Sequence, residues 1–242
     1  MHLTLIISSL NSGGAERVLT DLANHWVSKG HQVTLVTLAS PDAKPFYPLD
    51  SKVRLIQLNQ TQNESSFVTR LGNILRRVFC LRKTLKTLNP DVVLSFMDVM
   101  NLTTLLASVG LKTPVIVSER THPFYHKLPW LYHRVRTLLY PKAFQVVVQT
   151  QSAADYFKNL CNLLVIPNAV KKPSLQKITM LDQAKHIISV GRLCPFKGFD
   201  TLIQAFSRLY PTYPHLRLTI YGEGPQRENL QNLINSLNLQ ER

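Results

Sequence analysis

The chain has 242 residues, of which 45% are hydrophobic and 17% charged, a composition that excludes an intrinsically disordered protein and fits a packed globular one. Its 28 Lys and Arg against 14 Asp and Glu give a formal charge of +14, which calls for anionic partners: nucleoside diphosphates, phospholipid headgroups or nucleic acid. Cys80, Cys161 and Cys194 are odd in number and widely spaced, which excludes a disulfide framework or a Cys/His metal motif and fits thiols of a reducing compartment.

In chain order, strand and helix patterns alternate, predicting an α/β fold in which a parallel sheet is covered by helices on both faces. Leu3–Ser8 reads as the first strand and carries no charged leader, so no signal peptide is expected. Gly13 and Gly14 open a helix with Val18, Leu19, Leu22, Ala23 and Trp26 at helical spacing, and Gly30 ends it before the strand Val33–Leu38. Val53–Leu58 is a further short strand, followed by a polar loop, Asn59–Ser66. A long helix runs from about Phe67 to Leu88 and stops at Asn89-Pro90. Asp91–Phe96, Pro114–Ser118, Phe144–Val148 and Leu163–Ile166 complete the strands of a first domain, residues 1–168. Residues 169–185 are polar and aperiodic and read as a linker. A second α/β domain starts at His186, with Arg217–Tyr221 as its next strand and Gln226–Leu237 as its next helix. Residues 186–242 fall short of the about 100–150 that such a domain requires, so it is expected to be incomplete. No apolar run approaches the roughly 18 residues of a membrane span. A cytoplasmic protein, peripheral at most to the inner face of the membrane, is expected.

The most informative segment is Ile187 to Gly198. A buried strand meets a turn holding Gly191, Arg192, Pro195 and Lys197, and Gly198 then opens a helix. Open parallel sheets bind ligands at this edge, and a helix N-terminus flanked by two cations suits a phosphate. A solvated basic loop is the plainer reading of the same residues. Gly13 and Gly14 allow close backbone approach to a diphosphate or a sugar, and serve equally as a tight strand–helix turn.

Several segments together resemble the glycosyltransferases of the GT-B fold, specifically glycosyltransferase family 4. They are Ser12-Gly13-Gly14-Ala15-Glu16-Arg17-Val18, Pro90-Asp91-Val92-Val93, Ser118-Glu119-Arg120-Thr121-His122-Pro123, Val147-Val148-Gln149-Thr150-Gln151-Ser152 and Val165-Ile166-Pro167-Asn168. The series continues with Val190-Gly191-Arg192-Leu193, Lys197-Gly198-Phe199-Asp200 and Tyr221-Gly222-Glu223-Gly224-Pro225. The resemblance implies two Rossmann-like domains and a sugar moved, with retained configuration and no metal, from a nucleotide sugar to a lipid-linked or envelope-glycan acceptor. By the same resemblance, Arg192 and Lys197 contact the donor diphosphate, while Gly13 and Gly14 face it from the other domain. Gly191, Gly222 and Glu223 belong to the donor side. Glu119, Arg120 and His122 belong to the acceptor or sugar side, with Arg120 or His122 as the sugar contact and Glu119 as a loop cap or a partner that orients Arg120. Asn168 shapes the interdomain turn. The family's acidic pair would lie beyond Leu239, so an inactive truncated fragment of such an enzyme is the alternative.

Cations are concentrated on the long helix, where Arg70, Arg76, Arg77, Arg82, Lys83 and Lys86 face no acidic residue between Ser65 and Pro90. Leu71, Leu75, Val78, Leu85 and Leu88 are expected to form its buried stripe. A second acid-free stretch, Arg120 to Ala154, holds Lys127, Arg134, Arg136 and Lys142 near Trp130 and Tyr132. Docking on an anionic membrane, even as a non-catalytic binding module, and a solvated outer helix face are both open readings. No nucleic-acid motif is present, and no nucleic acid is expected as a partner.

Overall fold

Runs of aliphatic and β-branched residues form nine parallel strands in the computed structural model, which describes residues 1–60, 67–124, 129–160, 162–170 and 186–241, with the backbone alone at 67–71. The chain divides into two compact units, Met1–Lys171 and Lys172–Arg242. From residue 171 onward, the expected linker lies outside the described residues.

The first unit holds a seven-stranded sheet in the order β3-β2-β1-β4-β5-β6-β7. Its strands are β1 (His2–Ile7), β2 (Gln32–Thr37), β3 (Arg54–Gln57), β4 (Val92–Phe96), β5 (Val115–Ser118), β6 (Gln145–Val148) and β7 (Leu163–Val165). Side chains alternate between two cores, as the pleat requires. Leu5, Ile7, Val33 and Leu35 pack against α1 (Gly14–Ser28) through Leu19, Ala23 and Val27. On the other face, Ile6, Val36, Val93, Val117 and Val146 pack against α2 (Phe67–Leu88), α3 (Asp98–Ser108), α4 (Trp130–Leu139) and α5 (Gln151–Phe157). The chain builds outward from β1 through β2 to β3 and then returns to the opposite side through β4, so the strand order reverses between β1 and β4.

Asn89, with φ of 42°, takes the left-handed conformation that closes a helix C-terminus, and Pro90 prevents its continuation. The stripe that α2 buries differs from the one its spacing predicts. Leu81 and Leu85 are its core residues, with Val78 and Leu88 beside them, but Leu75 is 62% exposed. Six residues of helix turn Leu75 about 240° from Leu81, off the core-facing side. The side chains of Leu71 and Arg70 lie outside the described residues.

The second unit holds β8 (His186–Val190) paired in parallel with β9 (Arg217–Tyr221). A single 3-10 turn, Pro195–Lys197, leads to α6 (Phe199–Leu209), and α7 (Arg227–Ser236) follows β9. Phe199, Ile203, Phe206 and Leu230 form the core beneath the two strands. No helix among the described residues is long and apolar enough to cross a membrane.

Candidate functional site

In the second unit the two loops that follow the strands remain paired. The N–H of Gly191 donates to Tyr221 O at 3.0 Å, that of Leu193 to Glu223 O at 2.9 Å, and that of Gln226 back to Leu193 O at 3.0 Å. A Cβ on Gly222 would collide with the carbonyl oxygen of Gly191, so only glycine permits this approach. The contact fixes the backbone on both sides of Arg192. Gly198 has φ of 68°, a left-handed turn that aims α6 back along the sheet, and no side chain caps the helix start. Arg192 and Lys197 are both exposed around that start. Asp200 lies in the first turn of α6, and Glu223, paired with Arg227, is brought to this turn by the bond from Leu193 N–H to its carbonyl. Sequence reasoning did not single out Arg227. Its i,i+4 spacing from Glu223 was the signal available.

In the first unit the ends of β1 and β4, where the strand order reverses, are where a doubly wound sheet offers a ligand crevice. Gly13 is the extended N-cap of α1, and the carboxylate of Glu16 folds back over it so closely that a Cβ there would collide with it. Gly14 is different: a Cβ there would meet nothing within 4 Å. Met97, which follows β4, has φ of 75°, and the other non-glycine residues with positive φ among the described residues are all Asn. Such a conformation costs a side chain like methionine on the order of 1–3 kcal/mol. Met97 is held by its N–H to Ser118 O at 3.2 Å and by Asn101 N–H to its own carbonyl at 2.8 Å. Nothing in the sequence marks it.

Arg120 ties three strand ends together. Its guanidinium lies 4.4 Å from the centroid of the Phe96 ring at the end of β4. It donates to Asn168 Oδ1 beyond β7, and more weakly to Ser118 Oγ at 3.4 Å at the end of β5. Burial lowers its pKa to about 10 from the usual 12.5. His122 sits at the start of α5, with Nε2 3.1 Å from Ser152 Oγ and its ring stacked on Phe124. Asn168, expected to shape an interdomain turn, is thus a direct partner of Arg120.

Glu119 departs from its expected place on the acceptor side. It is 5% exposed, and its carboxylate is engaged within the unit by Tyr140 and Arg136. Tyr140 donates its hydroxyl to Glu119 Oε1, Asn101 Nδ2 lies 3.4 Å from that hydroxyl, and Arg136 NH1 is 4.0 Å from the same carboxylate. Desolvation raises the Glu119 pKa to about 7, with Asp98 adding to the rise and Tyr140 and Arg136 opposing it. Burial and the adjacent Glu119 carboxylate also raise Tyr140. Arg136, expected on a basic surface, is buried: it donates to Tyr156 Oη at 3.2 Å and lies 5.0 Å from the Phe157 ring centroid. Two cations of α2 are likewise committed inside the unit. Arg77 Nε donates to Gln60 O at 3.2 Å, and Arg82 caps the end of α3 through Ala107 O at 2.8 Å and Val109 O at 2.6 Å. No cluster of three His, Cys, Asp or Glu is placed to hold a metal among the described residues.

The family model of Glycosyltransferase Family 4 matches residues 12–172, about two thirds of the chain. The chain belongs to glycosyltransferase family 4. A second model, Glycosyl transferases group 1, matches residues 170–242. An alpha-1,4-N-acetyl-D-galactosaminyltransferase of Campylobacter jejuni, named for a glycan on diNAcBac-PP-undecaprenol, is 28% identical over 242 residues, covering 99% of this chain and 66% of its own length. The amylovoran biosynthesis glycosyltransferase AmsD of Erwinia amylovora is 25% identical over 250 residues, with 99% and 66% covered. Among solved structures, sucrose-phosphate synthase from Thermosynechococcus elongatus superposes with a TM-score of 0.80 at 14% identity, over all of this chain and 69% of that one. The Anabaena protein HepE in complex with UDP and glucose gives 0.69 at 17% identity, over all of this chain and 68% of its own. The fold is of the GT-B class, and the chain spans about two thirds of the length of these relatives.

Proposed function

We propose that this family 4 chain serves transfer of a sugar from a nucleotide-sugar donor to a lipid-linked or envelope-glycan acceptor. The observation that carries the reading is the backbone lock between Gly191 and Gly222, which holds Arg192 in a fixed turn beside the uncapped start of α6, with Lys197 at that start. As the bond from the anomeric carbon to the diphosphate breaks, the departing diphosphate keeps the electron pair, and preorganised cations stabilise that charge. Arg192 supplies a planar fork for two phosphate oxygens, and Lys197 a point charge. In this reading the two cations carry the role a divalent ion has elsewhere, and no metal is required. Retention of configuration follows from the family resemblance.

On the acceptor side, Arg120 and His122 stand at the ligand edge of the first sheet. Arg120 is anchored by Asn168, and His122 lies against Ser152 at the start of α5. Glu119 acts behind them, as part of the support of the edge. A lipid-linked acceptor must be met at a membrane surface, and the exposed cations Arg76, Lys83 and Lys86 of α2 suit its anionic headgroups.

The test pairs transfer of a labelled sugar to an undecaprenyl-diphosphate-linked acceptor with hydrogen exchange of the second unit in the presence of UDP or GDP. A nucleoside diphosphate should protect the amides at the start of α6. Arg192→Ala and Lys197→Ala should each lower turnover about 100-fold or more. Both side chains are exposed, so the circular dichroism spectrum should not change. Full turnover in either variant would refute the assignment.

A further inference from the structure

Met97 is the whole connection between β4, which ends at Phe96, and α3, which starts at Asp98. A chain that turns from strand to helix within one residue leaves the ordinary backbone regions, which accounts for the φ of 75° at Met97. Met97 is also the N-cap of α3, and its side chain makes no capping bond. Asn101, which has no exposed surface, holds the junction instead. Its backbone N–H donates to Met97 O at 2.8 Å and closes the first turn of the helix. Its Nδ2 donates to Ser118 O at 3.1 Å and lies 3.4 Å from Tyr140 Oη. The N–H of Met97 donates to the same Ser118 carbonyl at 3.2 Å. One carbonyl, with a lone pair for each, thus binds both ends of the first turn of α3.

Phe96 and Ser118 are the last paired residues of β4 and β5, where a ladder frays unless something closes it. Arg120 rests on this same rung. Its guanidinium lies 4.4 Å from the Phe96 ring centroid and reaches back to Ser118 Oγ at 3.4 Å, while its remaining support, Asn168, follows β7. Packing alone does not account for an amide at position 101. Leucine would fill the space with no polar atom to satisfy, whereas Asn101 Oδ1 is buried with no partner among the described residues, beside the strained Met97. Local costs of this kind persist where the surrounding structure uses them to fix a site.

We propose that Asn101 is a positioning residue for Arg120: by clamping the last rung of β4 and β5 through Ser118 O and the Met97 turn, its amide holds two of the supports on which the guanidinium rests. The acceptor-side reading of Arg120 gives this clamp its purpose, but the placement of the guanidinium is measured without transfer.

Arg120 Nε is buried, so its N–H should exchange slowly enough to give a signal in a proton–nitrogen correlation spectrum of the 242-residue chain, assigned by its loss in Arg120→Lys. Asn101→Ala should shift that signal and speed its exchange with solvent about tenfold or more. Thr104→Val is the control. Thr104 is as deeply buried on the same helix, and it gives up one bond, to Ser95 Oγ at 3.1 Å, one rung earlier in the ladder. It should leave the Arg120 signal in place. Asn101→Ser, whose hydroxyl is one bond shorter than the amide and falls short of Ser118 O, replaces the alanine variant if that does not fold, with the same shift expected. An Arg120 signal unmoved by the change at Asn101, or moved equally by Thr104→Val, would overturn the proposal. In transfer to the undecaprenyl-diphosphate-linked acceptor, Asn101→Ala should lower kcat/KM about tenfold or more beside an intact Arg120, and less than about twofold in an Arg120→Ala background. Equal losses in both backgrounds would also overturn it, since a loss of folded chain acts in both. Full transfer by Arg120→Ala, with the signal still moved by Asn101→Ala, would count against the acceptor-side reading alone and leave the clamp standing.

Discussion

Glu119 and Glu223 both stand at the C-terminal end of a strand, in segments that resemble family motifs, yet the two units use them in opposite ways. Glu119 turns inward and becomes the centre of a buried polar network joining β5, α3, α4 and the Tyr140–Lys142 turn. Glu223 stays at the surface in an i,i+4 pair with Arg227. In the second unit the edge is held instead by backbone, through the pairing of Gly191 with Tyr221 and of Leu193 with Glu223. The strand-end edge of the first sheet thus depends on side-chain chemistry buried behind it, and that of the second on the absence of a side chain at one position. Position at a strand end does not decide the role; the neighbours contributed by distant segments do.

The largest effect that would break this contrast is expected at Gly222. Gly222→Ala drives a methyl group into the Gly191 carbonyl oxygen, and the two loops must part. The second unit should lose about 3 kcal/mol. The amides of Gly191 and Leu193 should lose hydrogen-exchange protection, while those of the first sheet keep theirs. Gly191→Ala is the internal control, because its Cβ would only touch the Phe199 ring at 3.3 Å and should cost far less. Equal losses for the two variants would remove the backbone lock as the device that fixes Arg192.

Glu119 sharpens the other half of the comparison through pH. Its folded pKa of about 7 lies above the ordinary 4.5, so the folded protein holds the proton more tightly than the unfolded chain. The stability this contributes is complete below about pH 4.5 and is lost as pH rises to about 7, beyond which it stays lost. The loss is about 3 kcal/mol across that window. Glu119→Gln, which keeps an uncharged acceptor for Tyr140, should lack it. Urea unfolding followed from pH 4.5 to 8 should therefore show wild type losing ground to the variant as pH rises. Parallel profiles would mean that Glu119 is ionised at no cost and that the network does not depend on its proton.

Much of the frame was legible in the sequence. The alternation of strand and helix, the stop at Asn89-Pro90 and the glycine-bearing turns come from local propensity, and the structure keeps them to within a few residues. The pairings that decide roles were not legible, because they are long-range. Arg120 and Asn168 each belong to a readable segment, but their contact spans 48 positions of sequence. Arg136 reads as a surface cation from its acid-free surroundings, and only its long-range contacts with Glu119 and with Phe157 of α5 show it buried. Leu75 counted as core by spacing alone, since a one-dimensional pattern does not reveal which side of α2 the sheet covers. Gly222 was visible as a turn residue, but its necessity needs the register that sets Val190 beside Tyr221.

The smallest expected effect belongs to the surface pair. Glu223 and Arg227 keep 75% and 67% of their side-chain surface exposed, so water screens their attraction and each side chain retains its solvation when the other is removed. Glu223→Gln should change the stability of the second unit by about 0.5 kcal/mol or less, and salt should erase even that. Its effect on nucleoside diphosphate binding has a definite sign under the proposed function: removing a carboxylate from the edge that carries Arg192 should leave affinity unchanged or raise it. A tenfold fall in affinity would show that Glu223 touches the donor directly, and the two glutamates would then differ in chemistry as well as in burial.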